Sequence, residues 1–411
     1  MELILGTSHF TAPGGSETYL LTVAEQLQRL GHAVMIFAFE VGEMAELARS
    51  RGLRVAGGFA TLPERCDALL VQDGPVAYEL AGRYPGTPQV FRATSDLYDV
   101  SLPPNLPGVT SVVVALSERV AMRMRAVASR PKVIRLRQPI DTERFQSPSP
   151  PAQTPRRALL LGNYLGGARR AMIVAALAAN GIEAHQVGRG SRTAIAPDRQ
   201  IWDADIVIGK GRAALEGMAG GRAVYVYDEF GSDGWVTAES YPSMEEDNFA
   251  GLATPLTPDA PALQADLSRY RAEMGIVNRD LAVREHGARA HACALSEIFS
   301  RLADAAPAPD APLAEMARLV RAQWRTEARA GELERIQAAT SAQLATLQEA
   351  HAKLQAEHAK RNTDYAILEA EKAELTRRCE SLAELTATRR HRAGLRAGSW
   401  LDAVRRITGA A

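Results

Sequence analysis

The stretch Gly209-Lys210-Gly211-Arg212 runs directly into Ala213-Ala214-Leu215-Glu216-Gly217. Glycines that let backbone N–H groups come close, two cations, and the positive end of a helix together suit an anion such as a phosphate. Glu216 stands four residues beyond Arg212, which leaves two readings open. It is one half of an i,i+4 ion pair on a helix surface, or it accepts hydrogen bonds from vicinal hydroxyls, as an acid does on a ribose. A carboxylate this near a helix start is expected to stay charged, which suits an acceptor better than a general acid. Gly14-Gly15, in APGGSETYLL, repeats the pattern between a strand and a helix. A diphosphate is the guest it would take, and a capped tight turn is the plain alternative. Neither stretch is a GxGxxG or a GxxxxGK[ST] loop.

Such loops need a frame. LILG (3–6), AVMIFAF (33–39), ALLVQ (68–72), PQVFRA (88–93) and SVVVAL (111–116) are short apolar runs, the pattern of strands covered on both faces of a parallel sheet. Between the first two, Leu20, Val23, Ala24, Leu27 and Leu30 form a helical stripe that Ser16 can cap and Gly31 can stop. This predicts a doubly wound α/β domain over 1–146. After the linker SPSPPAQTP (147–155) the alternation restarts with ALLLG (158–162), a helix over 168–179, EAHQVG (183–188), DIVIG (205–209), a helix over 212–220 and AVYVYD (223–228). A second α/β domain is therefore predicted over 156–303, closed by a helical stretch from about Pro261 to Leu302. Two such halves are expected to face each other across a cleft, with ligands at the carboxyl ends of both sheets.

The 411 residues are 46% hydrophobic and 23% charged, with 48 basic and 48 acidic side chains. That balance is globular, and a net charge of zero argues against bulk nucleic-acid binding. Cys66, Cys293 and Cys379 are scattered and odd in number, which gives neither a zinc site nor a disulfide framework and fits a reducing cytoplasm. No apolar run is long enough to predict a membrane span, and MELILGTSHF reads as a first strand rather than a signal peptide. Past a second linker, DAAPAPDAP (304–312), residues 313–392 lack proline and strand pattern. Leu347, Leu354, Leu368, Leu375 and Leu382 keep heptad spacing, interrupted by Arg361. The alternate seam is Leu344, His351, His358, Tyr365, Lys372 and Cys379. This is a long amphipathic helix that either self-associates as a coiled coil or folds against the body. Residues 393–411 read as a basic amphipathic tail with Trp400, Leu401, Val404 and Ile407 on one face. The region 389–408 could lie on an anionic membrane or dock on the protein.

Four stretches, in this order and spacing, resemble the family 4 glycosyltransferases over roughly the first 300 residues. They are GGSETYLLTVAEQLQRLGHAVMIFA (14–38), VVVALSERV (112–120), VIRLRQPIDTERF (133–145) and GKGRAALEGMAGGRAVYVYD (209–228). The resemblance implies the α/β GT-B architecture: two Rossmann-like domains facing across a cleft, the first on the acceptor side and the second on the nucleotide-sugar donor side. Here a long C-terminal α-helix is appended. It implies a hexosyltransferase-like enzyme that moves a sugar from a nucleotide-diphosphate donor to a glycan, lipid-linked or protein acceptor, in glycan or cell-surface polysaccharide synthesis. It further implies retention at the anomeric carbon, with no metal and no cofactor besides the nucleotide sugar. By the same resemblance Glu216 holds the donor ribose and Lys210, Gly211 and Arg212 lie at the diphosphate. Gly14 and Gly15 bring the first loop onto the donor, and Arg169 and Arg170 stand for the family's basic pair.

The chain departs from that family in three places. The E-x7-E block expects an acid at 208, where this chain has Ile208; Asp233, in a loop expected at 231–234, is the candidate replacement. The family's histidine near FRATSD (91–96) is missing, so Asp96 and His9 are the catalytic candidates. Asp203-Ala204-Asp205 matches the DxD metal motif of the other glycosyltransferase architecture, but it leads into a strand before the ligand edge, so no metal site is expected. Ile208 motivates an alternative: a noncatalytic sugar-nucleotide binder that acts in assembly through its helix. The expected location is cytoplasmic, with peripheral contact at the inner face of the membrane through the tail.

Overall fold

The computed structural model describes residues 1–408 apart from 94, 96–100, 107, 128–130, 164, 189–196, 230, 255–257 and 303–312. The first apolar runs assemble into seven strands: β1 (Glu2–Phe10), β2 (Ala33–Val41), β3 (Arg54–Ala56), β4 (Ala68–Val71), β5 (Gln89–Ala93), β6 (Val112–Ala115) and β7 (Lys132–Arg135). They are parallel throughout, in the order β3-β2-β1-β4-β5-β6-β7. Helices α1 (Gly15–Arg29), α2 (Glu43–Ser50), α3 (Gly74–Arg83) and α4 (Glu118–Arg125) cover the two faces. Both faces are apolar because alternate residues of one strand serve different cores. Leu3 and Leu5 join Tyr19, Leu20 and Leu27 of α1, while Ile4 joins Val76 and Leu80 of α3. The first sheet is thus the predicted doubly wound parallel sheet, with β3 and β7 added at its edges.

The second half forms a five-stranded sheet from β8 (Arg157–Leu161), β9 (Glu183–Val187), β10 (Ile206–Gly209), β11 (Ala223–Tyr227) and β12 (Ser232–Trp235), in the order β12-β11-β10-β8-β9. Only β12 is antiparallel among these described strands. Helices α5 (Gly167–Ala179), α6 (Asp198–Trp202), α7 (Arg212–Ala219), α8 (Tyr241–Glu246), α9 (Ala260–Leu267) and α10 (Glu273–His286) complete it. The next helix, α11 (Ala288–Arg301), corrects the expected boundary at 303. Its Leu295 and Phe299 are buried in the core of the first sheet beside α1, not in the second domain. His32 Nε2 and Ser296 Oγ, 2.9 Å apart, fasten the same contact.

The crossing between the halves is held by two histidines used alike. His286 Nδ1 donates to the Gln138 carbonyl at 2.8 Å, and His291 Nδ1 donates to the Arg137 carbonyl at 2.9 Å. With Nδ1 protonated in each, Nε2 is the acceptor. It takes the Tyr241 hydroxyl in His286 and the Tyr19 hydroxyl in His291, both at 2.9 Å. Burial holds both imidazoles below their ordinary range, His291 to about 3.

A single helix, α12 (Leu313–Thr408), replaces the expected helix over 313–392 and separate tail over 393–411, passing Gly394 and Gly398 without a break. Contacts divide the chain into compact units at 1–337 and 338–411. Within the first unit, α12 docks on the first domain through one stripe. Leu313 and Ala317 are buried against Tyr78, Ala81 and Val109. Arg321 pairs with Glu79 and lies 4.1 Å over the Phe39 ring. Within the second unit, Leu347, Leu354, Leu368, Leu375 and Leu382 are all at least 60% exposed. The seam expected from the heptads is thus a solvent-facing stripe of one helix.

Candidate functional site

In an open α/β sheet, the chain leaves the first strand in opposite directions at one point, and the carboxyl ends diverge there to leave a crevice. In the second sheet that point lies between β8 and β10. A cleft of about 300 Å³ opens there, lined by Gly162 and Asn163 after β8, by Lys210, Gly211, Arg212 and Glu216 after β10, and by Tyr227 and Asp228 after β11. Gly14, Gly15, Thr18 and Thr22 of the first domain line the same cleft. The two glycine-rich stretches singled out in the sequence therefore meet.

Glu216 is 8% exposed and lines the cleft. Its Oε1 accepts from Arg212 Nε at 2.9 Å, while Oε2 has no hydrogen bond among the described residues. Glu216 is therefore one half of a buried ion pair, not of a surface one, and it lines the cleft. The expectation that the helix start keeps this carboxyl low is corrected. Burial pushes Glu216 up and Arg212 down, and their mutual attraction opposes both shifts. Arg212 is also a cross-tie. Nη2 donates to Thr22 Oγ1 of α1 at 3.0 Å and Nη1 to the Pro139 carbonyl at 3.3 Å. It is thus engaged on three sides rather than standing as a free phosphate cation. Gly211 caps α7 at φ 54° and ψ −123°, a conformation that favours glycine.

Lys210 Nζ lies 3.1 Å from Asp228 Oδ1, and the carboxylate is almost fully buried. Sequence reasoning missed Asp228, although its place at the carboxyl end of the AVYVY strand was a signal. Arg169 joins the same cluster, donating from Nη1 to the Asp228 carbonyl at 3.2 Å. Arg170 does not; its Nε donates to Gln186 Oε1 at the β9 edge. Of the expected basic pair, only Arg169 reaches the cleft-lining residues.

On the first sheet the divergence point is between β1 and β4. A second, smaller cavity of about 120 Å³ lies there, lined by Ser8, His9, Ser16, Glu17, Asp73 and Trp324 among others. Asp73 caps α3 and accepts from Ser8 N at 2.6 Å and Ser8 Oγ at 2.7 Å. Glu17 lies over Gly14, where a side chain at 14 would collide with its carboxylate. Burial raises the pKa of both acids. His9 Nδ1 stands 3.0 Å from Glu40 Oε2, and its buried Nε2 has no partner among the described residues. Nearby, Arg92 is buried with its guanidinium 4.0 Å over the Tyr19 ring and Nη1 on Gln72 Oε1 at 3.1 Å.

The remaining candidates fall elsewhere. Asp96 lies outside the described residues. Asp233 is corrected: residues 232–235 form β12 rather than a loop, and Asp233 Oδ1 accepts from Thr254 N at 2.9 Å, away from the cleft lining. Ile208 is wholly buried in β10, so position 208 points into the core and has no route to a ligand. Asp205 of the DxD match sits at the amino edge of its sheet, where it accepts from the N–H groups of Ala152, Arg156 and Arg157. No group of three His, Cys, Asp or Glu among the described residues could hold a metal ion.

No protein-family model and no curated protein matches the sequence. Solved structures do match in fold. The Anabaena protein HepE in complex with UDP and glucose aligns at TM-score 0.52 and 12% identity, covering 73% of this chain and 99% of that one. HepE in complex with UDP-glucose aligns at 0.51 and 13%, covering 74% and 100%. A glycosyltransferase from Rickettsia africae ESF-5 aligns at 0.50 and 14%, covering 73% and 98%. Two Rossmann-like sheets with a cleft at their carboxyl edges give this chain the GT-B fold, with α12 appended.

Proposed function

We propose that this GT-B chain is a glycosyltransferase that takes its sugar from a nucleotide diphosphate. The observation that carries the reading is Glu216, which lines a cleft at the sheet's divergence point while its Oε1 is fixed by Arg212. A carboxylate so held accepts from the vicinal hydroxyls of a ribose. The diphosphate then lies toward Lys210, Gly211 and the start of α7, with the start of α1 at Gly14 and Gly15 opposite. Charge that develops on the departing diphosphate is met by Lys210, by Arg169 through the Asp228 cluster, and by the N–H groups of the two helix starts. No metal step is needed in this scheme. Domain closure over the cleft excludes water, the competing acceptor.

UDP is the first nucleotide to try, because the HepE structures hold UDP or UDP-glucose. Retention comes from the family resemblance; a product of inverted anomeric configuration would instead give His9, backed by Glu40, the role of base. The buried Ile208 favours the second reading, a sugar-nucleotide binder without turnover. The exposed leucine seam over 338–392 supports pairing with a second copy. The basic stretch 389–408 supports contact with anionic lipid at the inner face of a membrane; no helix among the described residues is long and apolar enough to cross one. Release of nucleotide diphosphate from a donor panel, for wild type and Glu216→Ala, separates transferase from binder. Turnover lost on mutation supports the first, and equal background in both supports the second.

A further inference from the structure

The cavity between β1 and β4 has a wall from an unexpected part of the chain. Trp324 belongs to α12, more than 300 positions from His9, yet their ring centroids are 4.0 Å apart at 30°. The docking is built rather than incidental. The stripe Leu313, Ala317, Arg321 and Trp324 follows the helical period and ends on the cavity. Arg325 reaches Glu40 at 3.4 Å, and the same Glu40 holds His9 Nδ1.

The lining limits what can enter. Ser8, Ser16, Glu17 and Asp73 supply hydroxyls and carboxylates, and no lysine or arginine is among the described lining residues. Phosphates and other anionic head groups are therefore repelled. Trp324 is the one large apolar surface among the described lining residues, too little to seat an acyl chain. His9 Nε2 is buried and without a partner among the described residues. Flat aromatic surface beside carboxylates and hydroxyls is the chemistry of a sugar ring, whose C–H face stacks while its edge forms hydrogen bonds. The cavity also shares the first turn of α1 with the larger cleft: Ser16 and Glu17 face one, Gly14, Gly15 and Thr18 the other.

We infer that this cavity seats a neutral saccharide and that Trp324, carried by the appended helix, is its stacking wall. Only about one ring edge fits inside a cavity of about 120 Å³. Its role as acceptor rests on the transferase reading, whereas saccharide binding itself does not.

The test uses the full-length protein with a panel of methyl glycosides and disaccharides, read by saturation-transfer NMR and titration without any donor. The variants are Trp324→Ala, Trp324→Phe and, as a control on the same helix, Trp400→Ala. Wild type should contact at least one saccharide. Trp324→Ala should weaken its binding by roughly three- to tenfold, the scale of one ring stack, while Trp324→Phe and Trp400→Ala keep it and UDP affinity stays unchanged in all. Equal saccharide affinity in Trp324→Ala and wild type overturns the inference. So does a wild type that binds none of the panel, or one that binds lipid dispersions at this site instead. Saccharide binding lost with Trp324 while UDP affinity is indifferent to Glu216 would refute the transferase reading and leave this inference standing.

Discussion

Replacing Glu216 by glutamine keeps the shape of the side chain and removes its charge. Both partners of the pair are only 10% exposed at the side chain, so solvent screens little. Removing one partner of a buried pair costs about 3–5 kcal/mol, because the other charge is left uncompensated. Glutamine keeps a neutral oxygen 2.9 Å from Arg212 Nε, and the other bonds of Arg212 to Thr22 and Pro139 survive. The expected loss of stability is therefore about 1–3 kcal/mol, read as a fall in Tm. Binding changes for a separate reason. A hydroxyl that donates to a carboxylate gains about 1–2 kcal/mol over the neutral bond it would instead accept from the amide –NH2, roughly five- to thirtyfold in Kd. Calorimetry with UDP and 2′-deoxy-UDP at a temperature where both proteins are folded isolates that difference. Wild type should prefer UDP, and Glu216→Gln should lose about five- to thirtyfold of that preference. If Glu216→Gln stays folded and still prefers UDP as wild type does, the carboxylate is not on the ribose and the assignment of the cleft fails.

Lys210→Ala should weaken UDP about tenfold or more while hardly changing uridine, since only the diphosphate meets the Lys210–Asp228 pair; titrating both ligands checks it. Gly211→Ala should lower stability by about 1–3 kcal/mol in thermal melts, because φ 54° with ψ −123° is strained for any side chain. Acid should weaken the protein through His291, whose pKa is held at about 3 against 6.5 in the unfolded chain. A depressed folded value means stability that is present above pH 6.5 and lost as pH falls toward 3, by about 1.4 kcal/mol per pH unit. His291→Gln should flatten that slope between pH 6.5 and 4.5 in denaturant titrations, and an unchanged slope would refute the assignment. A chain ended at Gln337 should scatter light as a monomer while full length has twice the monomer mass, and equal subunit counts would refute pairing along the seam.

How much of this was legible depended on how local each signal was. Strands such as AVMIFAF and AVYVY are written in consecutive residues, because a strand covered on both faces must be apolar throughout. Gly211 and Glu216 were equally readable, since glycine before a helix and an acid four residues past a cation are features of one short segment. Asp233 failed for the opposite reason. Ser-Asp-Gly-Trp has little strand character, and only pairing with β11 makes it a strand. The periodicity of α11 announced a helix but not which core would receive it. His9 stood out as a candidate while Glu40 and Trp324 looked ordinary, and what assembles the three is the docking of a helix from the far end of the chain. The tail read as separate because its basic composition differs from the stretch before it, yet the surrounding helix formers carry one helix past the glycines at 394 and 398.

Arg212 ties Glu216 to Thr22 and Pro139 of the opposite half. Parting the two halves therefore strips the guanidinium of two partners and admits water to the carboxylate it orients. On the proposed reading, nucleotide occupancy and the closed arrangement are two faces of a single equilibrium: whatever factor closure contributes to affinity, occupancy must return to closure in equal measure.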